Sequence, residues 1–134
     1  MALQHPAILN VLVVDSNVFF LHIMRHNLYV LGITNVTIVE SAEEALERLS
    51  AQIYHVVYTN YKMTPGKLDG VKFIVHLRDH PLLCHTPIVM VSYKQHEASL
   101  PDFLRQHDVE FLDKALACPD TLEGTLRQVI PGLQ

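Results

Sequence analysis

Tryptophan is absent from this 134-residue chain, and cysteine occurs only twice, at Cys84 and Cys118. Those two thiols fit no metal or redox spacing, so they read as reduced thiols of a cytoplasmic protein. No apolar run approaches the ~20 residues that a membrane-spanning helix requires. The opening Met1-Ala-Leu-Gln-His-Pro6 has neither the basic segment nor the apolar core of a secretory signal. Basic residues are scarce as well, ten against fourteen acidic, for a formal net charge of -4. A phosphate-backbone binder would want a basic stripe, so nucleic acid and membrane are both excluded as expected partners. No glycine loop that could cradle phosphate, no Ser-His-Asp constellation and no paired carboxylates can be placed at strand ends. The chain is therefore not expected to be an enzyme.

Histidine is the exception to this scarcity, with nine residues. The pairs His22/His26 and His76/His80 stand four apart, on one helix face each, but a zinc site needs further ligands and none is evident. Solvated surface histidines are the expectation. About half the residues are apolar, enough for one sizeable core. The expected organisation is a single domain over 1–134, with its core at about 8–130 and no output domain.

What is present alternates. Asn10-Val-Leu-Val-Val14 is a continuous apolar run of the kind covered on both faces in parallel sheets. From Ser16 to Leu31 the pattern turns helical, with Phe20, Ile23, Met24, Leu28 and Leu31 as the inward stripe and Gly32 closing it. Val36–Val39 alternates like a sheet edge, and Ser41 with Glu44 forms a capping box for a second helix. The stretch His55–Thr59 is a short buried strand that breaks abruptly at Asn60 into a loop punctuated by Pro65 and Gly66. A third helix carries Val71, Phe73, Ile74 and Leu77. Pro87–Val91 is a further strand, ending at Ser92. Pro101 suits the first turn of a short fourth helix running to about His107. Glu110–Leu112 is a fifth strand, and Asp120 with Glu123 signals the cap of a final helix. Five strands alternating with five helices predict an α/β fold, a flavodoxin-like (βα)5 doubly wound parallel sheet. Edge-like second and fifth strands favour the order 2-1-3-4-5.

That order gathers Asp15, Ser16, Asn60, Ser92 and Lys114 at the carboxyl ends of the strands, where open α/β sheets build sites. Val13-Val-Asp15, Asn60-x-x-Met63 followed by Pro65, Asp69-Gly70, Ser92 after Val-Met-Val91 and Lys114 after Phe-Leu-Asp stand in order along the chain. Taken together they resemble the receiver (CheY-like) domain of bacterial two-component response regulators, over roughly Ile8 to Ile130. In that family a carboxylate ending the third strand accepts a phosphoryl group from a histidine kinase, and an acidic pair after the first strand holds Mg²⁺. A Ser or Thr and a Lys bind the phosphoryl oxygens, and an aromatic on the fifth strand follows the switch.

By this resemblance Asp15 matches the first acid, Ser92 the hydroxyl, Lys114 the lysine and Phe111 the switch aromatic. Ser16 stands where the second acid belongs, Asn60 where the phosphorylated aspartate belongs, and Ala115 where a proline usually follows the lysine. The loop from Asn60 to Gly70 is about two residues longer than the family's usual form. The resemblance thus implies a degenerate pseudo-receiver with no cofactor and weak or absent Mg²⁺ binding. Its expected role is a phosphorylation-independent protein-interaction module in signal transduction. Its partners would be signalling proteins, a histidine kinase or another regulator, with a homodimer as a further option. The alternative is a small-molecule- or anion-responsive switch that uses the degenerate pocket near Lys114. Two surfaces offer themselves for partners: Val18, Leu21, His22, Arg25 and Tyr29 on the outer side of the first helix, and Phe103 and Arg105 near the fourth.

Overall fold

The computed structural model describes residues 3, 5–63, 68–93 and 98–133, so the predicted loop residues Pro65 and Gly66 lie outside the described part. After a 3₁₀ turn, Pro6–Ile8, the chain runs β1 (Asn10–Val14), α1 (Val18–Val30), β2 (Asn35–Val39), α2 (Ala42–Ala51) and β3 (Val56–Thr59). It continues through α3 (Gly70–Asp79), β4 (Ile88–Ser92), α4 (Leu100–Gln106), β5 (Val109–Asp113), a second 3₁₀ turn (Lys114–Leu116) and α5 (Pro119–Val129). All strand pairs are parallel, and the order is β2-β1-β3-β4-β5, as the pattern predicts.

Side chains alternate across a strand with period two, and here both sets are apolar, giving two cores. Leu12, Val14, Val57, Ile88 and Met90 pack against Ala45 and Leu49 of α2, Phe73, Ile74 and Leu77 of α3, and Leu104 of α4. Val11, Val13, Val56, Tyr58, Val89 and Val91 face the other way, onto α1 and onto Leu122 and Leu126 of α5. Tyr58 buries a hydroxyl in this second core. Its donor is satisfied by Thr125 Oγ1 at 2.9 Å, while Thr125 donates to the Leu122 carbonyl at 2.8 Å. Burial pushes the Tyr58 phenol well above its ordinary pKa, and the Thr125 bond offsets only part of this.

The helix ends follow their local chemistry. Asn17 caps α1 by accepting the Phe20 N–H at 3.2 Å, so the helix starts at Val18 rather than at Ser16. Gly32, at φ 88°, closes it with its N–H on the Tyr29 carbonyl. Ser41 caps α2 through the Glu44 N–H, and Asp69 caps α3 through the Lys72 N–H. The cap predicted at Asp120 moves. Cys118 is the N-cap of α5 and Asp120 lies in its first turn, because Thr121 Oγ1 accepts the Cys118 N–H at 3.0 Å.

The phase of α1 also departs from expectation. Leu21 is 1% exposed and belongs to the core, whereas Ile23 is 51% exposed. The sheet-facing arc is Phe20, Leu21, Met24 and Leu28. A helix apolar around most of its circumference leaves the hydrophobic period too weak to fix its rotation from sequence.

Gly70 opens α3 against the turn after β3, with its N–H on the Tyr61 carbonyl at 2.9 Å. A Cβ there would fall 2.0 Å from the Asn60 carbonyl oxygen. Gly70→Ala should therefore cost about 1–3 kcal/mol by overpacking against backbone. Gly124→Ala, with nothing within 4 Å of its Cβ in α5, should instead stabilise by about 0.5–1 kcal/mol. Urea denaturation of the two variants checks the opposite signs.

Candidate functional site

The parallel strands deliver their carboxyl ends to one rim. Asp15 follows β1 and is buried, 2% exposed. A buried carboxylate must be paired to persist, and this one is. Its Oδ2 accepts Lys114 Nζ at 2.8 Å. Its Oδ1 accepts the Asn17 N–H at 2.8 Å, which turns the chain into α1, and a long contact from Asn60 Nδ2 at 3.4 Å. Lys114 starts the turn after β5, and in the sheet order β3 and β4 lie between it and Asp15. Its side chain, 8% exposed, closes over the ends of those strands.

Two aromatic rings complete the lysine's surroundings. Nζ lies 4.4 Å from the centroid of Phe20, in the first turn of α1, and 5.7 Å from that of Tyr93, just past β4. Ring faces attract cations, so the ammonium is held by a carboxylate and two π systems. Sequence reasoning assigns Phe20 to the core and does not single out Tyr93, so it misses both contacts. The available signal was position: Phe20 sits one helical turn past the Asp15 turn, and Tyr93 immediately follows Ser92.

Asn60 directly follows β3, its N–H on the Val14 carbonyl at 3.0 Å. Its side chain folds back onto its own loop. Oδ1 accepts the Tyr61 N–H at 2.9 Å, and Nδ2 donates to the Lys62 carbonyl at 2.7 Å. The second bond requires an amide, since a carboxylate would present an acceptor to the Lys62 oxygen and a second negative charge to Asp15. Asp15 and Lys114 therefore neutralise each other inside the rim.

The remaining predicted residues fall where the topology puts them. Ser16 follows Asp15, half-buried. Ser92 ends β4 in register with Asp113, next to Lys114. Phe111 is half-buried on β5 against the first core. Val18, His22, Arg25 and Tyr29 are exposed on α1, but Leu21 is not available to a partner because it packs onto the sheet. Phe103 is half-buried and stacks on His107 with centroids 4.1 Å apart, while Arg105 is exposed and pairs with Asp102. A cleft of about 800 Å³ lies at the opposite, amino end of the sheet, lined by Arg78, His85, Leu104 and Val109. Arg78 is committed there to backbone, donating to the carbonyls of Cys84, Thr86, His107 and Asp108.

Removing one partner of a buried ion pair strands the other charge. Lys114→Met should cost roughly 3–5 kcal/mol, whereas the double variant Asp15→Asn/Lys114→Met should regain most of that loss. A double-mutant cycle by denaturant unfolding measures the coupling.

The same arrangement of strands and helices recurs in solved structures. The chemotaxis response regulator CheY4 of Vibrio cholerae matches with a TM-score of 0.78 at 24% identity, over 91% of this chain and 98% of that one. A sensor protein from Polaromonas sp. JS666 matches with a TM-score of 0.80 at 21% identity, over 91% and 95%. The signal receiver domain of a histidine kinase from Syntrophus aciditrophicus matches with 0.78 at 18%, over 92% and 90%. At these identities the likeness establishes the fold. Comparison of the sequence with curated proteins finds no match. Residues 11–126, most of the chain, fit the model of one family, and the protein is thereby a member of the response regulator receiver domains.

Proposed function

We propose that this receiver acts as a phosphorylation-independent protein-interaction module in two-component signal transduction, and not as an enzyme. The observation that carries the reading is Asn60, whose amide stands at the end of β3 with both polar atoms bonded into its own loop. Accepting a phosphoryl group requires an anionic oxygen nucleophile, and an amide is neutral. Mg²⁺ wants several hard oxygen ligands in near-octahedral geometry. Asp15 already accepts from Lys114, Asn17 and Asn60, and Ser16 adds only a neutral hydroxyl. That donor set does not suit the ion, so Mg²⁺ binding is weak or absent on this reading. Lys114 supplies the positive charge internally and holds the rim in one charge state.

Function then rests on surfaces presented to other signalling proteins, a histidine kinase or another regulator, in the cytoplasm. Among the described residues no helix is long and apolar enough to cross a membrane. The second reading, a switch responding to a small molecule or anion at Lys114, has less support. The Lys114 side chain is 8% exposed and its ammonium is already bonded to Asp15, so an incoming anion would have to displace a buried carboxylate.

Incubation with acetyl phosphate and Mg²⁺, read by intact mass, tests the proposal. The wild-type protein should gain no phosphoryl group, while the Ser16→Asp/Asn60→Asp double variant, with two anions restored, should gain one in a Mg²⁺-dependent way. A phosphoryl adduct on an acidic residue of the wild-type protein would sink the reading.

A further inference from the structure

If the rim is satisfied from within, the outer face of α1 is the feature richest in unpartnered apolar side chains among the described residues. Half of the strongly exposed large apolar side chains among the described residues are on this one helix: Val18, Phe19, Ile23, Tyr29 and Val30. Phe19 is 84% exposed, Tyr29 65% and Val30 58%. Of the others, Ile53 and Leu82 come together at a smaller cleft beside α2, while Ile8, Tyr93 and Leu116 come from separate parts of the chain. Scattered apolar residues are ordinary on a surface, but a contiguous patch marks an interface.

The stripe has a defined order. Phe19, Ile23, His26 and Val30 recur at spacings of four, three and four, which places them along one side of the helix. The helix carries no carboxylate, and its formal charge is Arg25 alone. At 100° per residue Arg25 lies about a third of a turn from the stripe. The stripe itself carries no formal charge, so it has nothing with which to select an oppositely charged partner. It also lacks the like charges that would repel a second copy, despite the net charge of -4.

We infer that this face is a self-association surface, on which α1 of a second copy packs antiparallel about a two-fold axis. The stripe reads nearly the same in both directions. With the axis between Met24 and Arg25, Phe19 meets Val30 of the other copy and Ile23 meets His26, so large opposes small at both ends. This is the isologous pattern of a two-fold interface. Phe19 and Tyr29 alone expose on the order of 220–370 Å² per copy, and Ile23, Val30, His22 and His26 extend the patch toward the roughly 800 Å² per partner of a standard interface. The inference rests on the reading that the chain works through its surface. The acetyl phosphate assay reports on the rim and sedimentation reports on α1, so either can fail without the other.

Sedimentation equilibrium of the full chain over roughly 1–500 µM should show a reversible monomer–dimer equilibrium. Phe19→Glu and Ile23→Glu, both at exposed positions, should each raise the dissociation constant at least about tenfold with unchanged circular dichroism. Leu82→Glu, 87% exposed on the α3–β4 connection, should leave it unchanged. In a Cys84→Ser/Cys118→Ser background, a mixture of Ile23→Cys and His26→Cys chains should cross-link faster than either alone. A protein that stays monomeric throughout, a dimer indifferent to both α1 variants, or a mixture no faster than its components would each overturn the inference.

Discussion

The bond between Asp15 and Lys114 joins residues ninety-nine positions apart, and the rest of the rim is arranged around it. Taking two charges out of water is costly, and their attraction repays the cost only when the remaining polar atoms also find partners. Here they do. Asp15 spends its other oxygen on the Asn17 N–H that starts α1 and on Asn60, and the ammonium lies over the Phe20 ring. One ion pair thereby fixes the ends of β1 and β5, the entry of α1 and the rotamer of a core aromatic. Buried ion pairs add little net stability over an apolar replacement. This one specifies an arrangement.

Around it, polar groups are satisfied locally and at short range. Asn60 turns its amide into its own loop, and Gly70 brings α3 against the Asn60 carbonyl more closely than any side chain would allow. Below the rim, Tyr58 and Thr125 tie β3 to α5 through a buried hydroxyl pair. At the far end Arg78 draws together the loops before β4 and β5 through four carbonyls. Side-chain hydrogen bonds thus tie neighbouring elements together at both ends of the sheet. The contrast with α1, which exposes large apolar side chains along its outer side, turns attention from pocket to surface.

Much of this was legible before any coordinates. The apolar runs at Val11–Val14, Val56–Tyr58 and Ile88–Val91 carry no alternation because both faces are covered, and that absence is itself a sequence signal. Gly32 and Ser41 announced helix ends because capping is chemistry between near neighbours. The amphipathic stripe of α3 gave its inward residues correctly. The reading failed where local pattern carried too little contrast. On α1 nearly every candidate was apolar, so Leu21 and Ile23 exchanged roles. At α5 an acidic residue looked like the cap until Thr121 and Cys118 closed the turn two positions earlier.

The sequence by itself determined the alternation of strand and helix, the residue types set at each strand end, and the amide rather than carboxylate at position 60. Each of these is encoded within a few neighbouring residues. Only the tertiary structure decided that Phe20 and Tyr93 flank the lysine, that Gly70 must have no side chain, and which side of α1 faces water. Those outcomes depend on how elements distant in the chain are brought together and rotated, and no local periodicity specifies that rotation.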